Sequence, residues 1–239
     1  MLKGIDVSEH QGIIDFNKVK NEGIKFVIIR AGFGGKSGRK DYYFETNYKN
    51  AKAAGLLVGA YWYNYAKTPE GAKIEAEKFK EALKGKTFEM PIYYDVEEAS
   101  LYKTKTKEQI SEIIDTFLKD MEKDGYFAGL YKSKYYLINY TTPYIRQRYS
   151  IWIAEWGNKQ TYKAPLWQYS SKGKIDGIYG NVDMDILNDE NIIKIIKERG
   201  FNGFKKGCNA SKLAELLKRK KELEKQLNEV NEEIKKIGG

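Results

Sequence analysis

The chain has 239 residues, 41% hydrophobic and 14% aromatic, with 42 Lys and Arg against 33 Asp and Glu, a formal net charge of +9. That suffices for one large domain with an appendage, while a single Cys (Cys208) and a single His (His10) exclude an internal disulfide, a Cys/His zinc site and a Cys–His nucleophile pair. No apolar run reaches the roughly 18 residues of a membrane span, and the positive charge is spread without an Arg cluster or RNA-binding signature, which argues against nucleic acid and for anionic partners such as wall polymers.

The chain opens Met-Leu-Lys-Gly-Ile-Asp-Val-Ser with no apolar signal core, so synthesis in the cytoplasm is expected. Leu2–Val7 reads as a strand and Phe16–Gly23 as a helix. The β-branched run Lys25–Ala31 reads as a buried strand, followed by a Gly-rich loop, Gly32–Gly38. Residues 41–54 read as a helix ending at Gly55. Leu56–Tyr65 is the next strand, and Pro69 opens a helix to about Lys84. Ile92–Asp95 is a strand. Residues 104–123 form an amphipathic helix, with Ile110, Ile113, Ile114, Phe117, Leu118 and Met121 at helical spacing. Phe127–Tyr131, Ser150–Ala154, Leu166–Tyr169 and Tyr179–Ile186 complete eight strands, and a helix follows at 189–199.

Repeating βα units imply a parallel sheet under helices, and eight strands imply a closed barrel. The connections between residues 150 and 186 are too short for helices, so the barrel is expected to be irregular. A doubly wound open sheet is the alternative, disfavoured because Gly32–Gly38 carries no dinucleotide fingerprint; no cofactor and no metal is expected. The barrel is assigned to residues 1–199. Gly- and Asn-rich residues 200–211 read as a linker. In 212–239, Leu213, Leu216, Leu223, Leu227, Val230, Ile234 and Ile237 follow spacings of three and four, interrupted only by Lys220. This heptad seam suits a homo-oligomer or a wall-targeting helix, or an amphipathic helix lying on its own barrel.

Residues 90–98 read Met-Pro-Ile-Tyr-Tyr-Asp-Val-Glu-Glu. Asp95 and Glu97, two apart at a strand end, share one face. Paired carboxyls suit acid/base chemistry, above all glycoside hydrolysis; acidic residues opening a helix are the alternative. In a βα barrel, chemistry sits at the C-terminal strand ends. Asp6 closes the first strand, and Asp183 lies in the last, its neighbour in a closed barrel. Four converging carboxyls would raise the pKa of at least one, as a general acid needs.

Asp6-Val-Ser-Glu-His-Gln-Gly-Ile-Ile-Asp-Phe, Arg30 in Ile-Ile-Arg-Ala-Gly, Gly59-Ala-Tyr-Trp-Tyr, Tyr93-Tyr-Asp-Val-Glu, Leu130-Tyr, Ile151-Trp-Ile-Ala, Leu166-Trp-Gln-Tyr and Val182-Asp together resemble glycoside hydrolase family 25 lysozymes, the Chalaropsis-type muramidases, over about residues 2–187. The resemblance implies an irregular TIM-like (β/α)5(β)3 barrel. It implies cleavage, with net retention, of the β-1,4 bond between N-acetylmuramic acid and N-acetylglucosamine in the peptidoglycan of Gram-positive walls. By motif, Glu97 is the general acid and Asp95 the second catalytic carboxylate, with Asp6 and Asp183 on the floor; Glu98 faces away. Both a covalent route through Asp95 and an acetamido-assisted route stay open.

The family often has His where Trp62 stands and Asn where Asp185 stands; neither position is expected among the core acids. Tyr61 and Tyr63 share a strand face and are expected to meet sugar, with barrel packing as the alternative. The same two readings hold for Tyr131, Trp152, Trp167 and Tyr169. Gln168 is expected to bond an acetamido or hydroxyl group, and Arg30 to pair with Asp6 or a neighbouring acid. His10 reads as a loop residue rather than a base. A compact muramidase without a signal peptide resembles a phage endolysin, released to the wall when the membrane is breached. A family 18-type chitinase would need an acid where Tyr93 stands, and a non-catalytic wall-binding barrel would not need all four acids.

Overall fold

The computed structural model describes residues 1–206, 218–227 and 230–231. In chain order its elements are β1 (Leu2–Val7), α1 (Phe16–Asn21), β2 (Phe26–Phe33), β3 (Arg39–Lys40), α2 (Phe44–Ala54), β4 (Leu57–Tyr63), α3 (Pro69–Leu83), β5 (Ile92–Asp95), α4 (Ala99–Thr104) and α5 (Lys107–Lys123). There follow β6 (Ala128–Ser133), α6 (Lys134–Tyr140), α7 (Pro143–Arg148), β7 (Ser150–Ala154), β8 (Leu166–Gly173), β9 (Val182–Leu187) and α8 (Asn191–Arg199). The sheet runs β1-β9-β8-β7-β6-β5-β4-β2 and closes through a β1–β2 pairing, with β3 a short flap on β2. All eight expected strands are present. Neighbouring barrel strands are parallel except at β9, which is antiparallel to both β8 and β1. Only residues 174–181 join β8 to β9, and a parallel crossover needs a dozen or more.

Side-chain alternation divides two cores. Inside the barrel lie Phe26, Ile28, Tyr61, Met90, Tyr93, Tyr131, Trp152, Leu166 and Leu187. Between strands and helices lie the odd partners of the same runs, such as Val27, Ile29, Trp62 and Tyr94. The inner core centres on Trp152, whose ring centroid is 4.4 Å from Tyr131, 5.2 Å from Tyr93 and 5.9 Å from Tyr61. In the outer core α5 buries Ile110, Ile113, Ile114, Phe117, Leu118 and Met121, each side chain worth about 1.5–3 kcal/mol. Phe117 lies flat on Tyr94 at 3.6 Å. Local signals start these helices where they are needed. Thr68 caps α3 with Pro69 behind it, and Thr106 and Gln109 form a capping box on α5, each satisfying otherwise unpaired N–H groups.

The start of the expected linker, residues 200–206, instead seals the bottom of the barrel. Gly200 ends α8 in the left-handed conformation at φ 74°, and Asn202 follows at φ 54°, fully buried. The Asn202 side-chain oxygen accepts from the Phe127 N–H at 2.7 Å, and its amide donates to the Met90 carbonyl at 2.9 Å. Its backbone carbonyl accepts from Phe88 and its N–H donates to Gly125. One residue thus ties the entries of β5 and β6 together, and four bonds outweigh the steric cost of positive φ. Of the heptad seam, Leu213, Leu216, Ile234 and Ile237 lie outside the described residues, as does Cys208. Residues 218–227 are helical, with Leu223 and Leu227 exposed.

Asn202→Ala leaves a buried N–H and a buried carbonyl unpaired and keeps the positive φ. A loss of about 2–4 kcal/mol is expected, read as a lower urea midpoint with an unchanged slope. A variant matching wild type would show that Asn202 does not pin the barrel.

Candidate active site

The carboxyls converge because of strand direction. Asp6 and Asp95 close the parallel strands β1 and β5, and Glu97 follows two residues later. Because β9 runs the other way, its first residues reach the same end: Asp183 pairs with Asp6, and Asp185 lies beside Gly4, one step deeper. A cavity of about 210 Å³ opens there, lined by Asp6, Val7, Ser8, His10, Gln11, Arg30, Tyr61, Tyr63, Asp95, Glu97, Tyr131, Trp152, Gln168 and Asp183. Of the residues expected to meet substrate, Trp167 and Tyr169 alone do not line this cavity. They flank Gln168 on β8, so the pleat turns both to the opposite face, where their rings meet at 5.6 Å and the Trp167 indole N–H donates to the Glu155 carbonyl at 2.7 Å.

A relay of side chains holds the floor. The Tyr131 hydroxyl donates to Gln168 Oε1 at 3.0 Å, and Gln168 Nε2 donates to Asp6 Oδ2 at 2.8 Å. The exposed rim residue Trp156 also donates to Gln168 Oε1, at 3.1 Å. Trp152 Nε1 donates to Asp185 Oδ1 at 2.8 Å. Asp185 Oδ2 is buried with no hydrogen-bond partner, and Asp185 stands two residues from Asp183, the cross-strand partner of Asp6. Buried carboxyls this close disfavour full ionisation, so protonation is favoured among them. Burial, then the charges of Asp185 and Asp183, push Asp6 well above the usual carboxylate range. Burial pushes Asp185 up to about 8, against the Trp152 bond. The expectation that Asp185 lies outside the core acids is thus corrected. Asp183 and Asp185 are two apart on one strand face, and that spacing was the available signal.

Asp95 and Glu97 form the second pair. Asp95 is buried, and its Oδ1 has no hydrogen-bond partner. Burial, then the Glu97 charge, raise its pKa well above the ordinary range, opposed by Lys132 and Arg30. Glu97 is accessible from the cleft, yet desolvation by the cleft walls raises it too, opposed by Lys132 and reinforced by Asp183. The two titrate as a unit that retains a proton above the pH at which free carboxyls lose theirs. Glu98 takes the helix-capping role, accepting from the Ser100 N–H at 3.2 Å at the start of α4. Sequence reasoning overlooked Lys132, which is fully buried beside this pair.

Arg30 does not pair with Asp6. Its guanidinium bonds Asp41 at 2.8 Å and Glu9 at 3.1 Å, and Arg39 grips the same Glu9 with two bonds of 2.9 and 3.0 Å. The Arg39 bonds hold the Glu9 carboxyl below its usual range. Arg30 thus presents only an edge to the cavity, beside His10, whose Nε2 lies 3.5 Å from it. Among the described residues no group of three His, Cys, Asp or Glu side chains could hold a metal ion.

The family model of the Glycosyl hydrolases family 25 matches residues 5–178. The autolytic lysozyme of Clostridium acetobutylicum is 32% identical over 192 residues, which cover 79% of this chain and 56% of that protein. Among solved structures, the modular autolysin LytC of Streptococcus pneumoniae, solved with a synthetic peptidoglycan ligand, is 29% identical with a TM-score of 0.70 over 77% of this chain and 46% of that one. The CTP1L endolysin is 28% identical with a TM-score of 0.72 over 83% of this chain and 70% of that one. The chain thus spans about half the length of the first two relatives.

The burial of Asp185 has a consequence for stability. In the unfolded chain Asp185 ionises near 3.8; in the fold it keeps its proton to about 8. Between those values the fold binds a proton that the unfolded chain lacks, so its contribution to stability declines as pH rises through that window. Asp185→Asn supplies an amide N–H to Asp6 and an oxygen to Trp152 with no proton to lose. Its thermal midpoint is expected to exceed that of wild type at about pH 8 and to decline less steeply from about pH 5. Parallel pH profiles for the two proteins would rule out retention of the Asp185 proton in the fold.

Proposed function

Because the chain belongs to the Glycosyl hydrolases family 25, we propose that it cleaves the β-1,4 bond between N-acetylmuramic acid and N-acetylglucosamine in peptidoglycan, with net retention. The observation that carries this reading is the Asp95–Glu97 pair in a cleft at the C-terminal end of the barrel, where burial raises the proton affinity of both carboxyls. Glu97 is the member that solvent reaches, and it donates the proton to the glycosidic oxygen. Asp95, buried with a free oxygen, faces the anomeric carbon. As positive charge develops on the sugar, ionised Asp95 is favoured, and the pair's single proton is driven onto Glu97 and from there to the leaving group. Asp6 and Asp183 line the floor and orient the substrate. Tyr61, Tyr131 and Trp152, nearly inaccessible, shape that floor, while half-exposed Tyr63 keeps a face for sugar.

The relatives named as autolysins and an endolysin support a wall-lytic role, and we assign this chain to lysis of Gram-positive walls by a phage. The net charge of +9 suits a polyanionic wall. Residues 212–239, of which the structure describes 218–227 and 230–231, are assigned to raising wall avidity by joining copies of the enzyme.

Wild-type protein is expected to clear a suspension of purified Gram-positive walls and release new reducing ends. Glu97→Gln should lose at least ~100-fold in rate, as when a general acid is removed. Undiminished lysis by that variant would sink the mechanism, and release of amines without reducing ends would point to an amidase or peptidase instead. For the tail, light scattering should find oligomers of the full chain and monomers of a version ending at Lys206, which retains the Asn202 pin. Monomers in both cases would refute self-association.

A further inference from the structure

Lys132 is the only buried Lys or Arg among the described residues. On β6 it follows the inward-facing Tyr131, so the pleat sends it out of the barrel interior, beneath the loop that leaves β5. Its ammonium donates to the Val96 carbonyl at 2.7 Å and to the Tyr102 hydroxyl at 2.7 Å. That hydroxyl in turn donates to the same Val96 carbonyl at 2.6 Å. The ammonium also lies 4.7 Å from the centre of the Tyr102 ring, which is stacked on Tyr136 at 4.1 Å and meets Tyr140 edge-on at 5.0 Å. Val96 is the residue between Asp95 and Glu97. The cation is therefore fastened one peptide from each carboxyl while ion-pairing with neither.

A buried ammonium is costly, and this one has three N–H donors for two acceptors. A neutral donor would satisfy the Val96 carbonyl equally well. What offsets the cost is nearby negative charge. The titratable groups around Lys132 are Asp95 on β5, Glu97 on the loop after it, Tyr102 on α4, and Tyr136 and Tyr140 on α6; the neighbouring strand β7 presents only apolar Ile153 and Ala154. Asp95 and Glu97 are the two that act on its charge, and burial still lowers its pKa to about 7.

We propose that Lys132 is a positioning residue whose charge sets the proton affinity of the Asp95–Glu97 pair and whose bonds fix the turn that presents both carboxyls. The assignment deepens the proposed function and rests on its reading of that pair. The bonds hold the turn; the charge keeps one of two crowded carboxyls ionised while the other stays protonated. By reciprocity, a charged pair keeps Lys132 protonated. Removing the cation raises the proton affinity of both carboxyls, so both limbs of the pH–rate profile move to higher pH.

The test follows side-chain carbon NMR signals through a pH titration. Lys132→Met keeps the length and apolar stem and removes the charge; Tyr102→Phe removes hydroxyl bonds and keeps the charge. In Lys132→Met the titration of Asp95 and Glu97 is expected to move up by about one pH unit, whereas Tyr102→Phe stays close to wild type. Unmoved carboxyl titrations in folded Lys132→Met would overturn the proposal and leave a purely mechanical clamp. A second measurement needs no change at Lys132: in Glu97→Gln the Lys132 side-chain signal should titrate at lower pH than in wild type, and an unchanged midpoint would also overturn the coupling. Wall assays read the enzymatic function separately. A wild type that releases no reducing ends would defeat the muramidase reading, while the titrations still decide whether Lys132 and the pair are coupled.

Discussion

Crowding of like charge is the constraint on which this architecture turns. Asp6, Asp95, Glu97, Asp183 and Asp185 meet at one end of a narrow barrel, and burial raises the pKa of all five. Two charges 4 Å apart at an effective dielectric of 20 repel by about 4 kcal/mol, so full ionisation would cost the fold a large part of its stability. The site answers by holding protons among these carboxyls at pH values where free carboxyls lose theirs, and with the buried ammonium of Lys132. The nearest guanidinium, Arg30, is largely committed to Asp41 and Glu9. The retained protons are thus a by-product of how the fold tolerates its own acids, and the proposed hydrolysis would draw on one of them.

That arrangement depends on a dry, rigid floor. Trp152 supplies it in two ways, packing against Tyr61, Tyr93 and Tyr131 and donating its indole N–H to Asp185. Gly129 makes room: a Cβ there would lie 2.6 Å from the Tyr93 ring, displacing the residue beneath Trp152. The Tyr131–Gln168–Asp6 relay then carries the order of the aromatic layer up to the carboxyls. Electrostatics and packing cannot be varied separately here, because the groups that exclude water also orient the acids.

Much of this was legible in the chain. Eight β-rich runs announced the barrel, and Asp95 and Glu97 announced the cleft they line, because period-two alternation and a strand-end position are local properties. What the sequence concealed needed partners distant in the chain. Trp167 and Gln168 cannot both face the cavity, but which one does depends on the register of β8 against β7 and β9. Lys132 reads as a surface lysine until the loop after β5 closes over it. Asn202 sits in a Gly- and Asn-rich stretch that reads as a linker, yet its bonds reach residues 75 and 112 positions earlier. The short helices α4, α6 and α7 were too brief to show a period. One acidic run serves two ends, since Glu98 caps a helix while Asp95 and Glu97 line the cleft.

The irregular end of the barrel follows from the same logic. With no room for a helix after β8, β9 must return antiparallel, and this reversal delivers acids to the site. Asp183 and Asp185 stand at the beginning and middle of β9. Were β9 parallel to its neighbours, its first residues would lie at the opposite mouth, and the inward-facing residue at the cleft end would be Leu187. Reversed, Asp183 comes level with Asp6, and Asp185 drops one step below to meet Trp152. The missing helix is therefore part of how this barrel assembles a carboxyl cluster, since it turns the strand that brings two of the five.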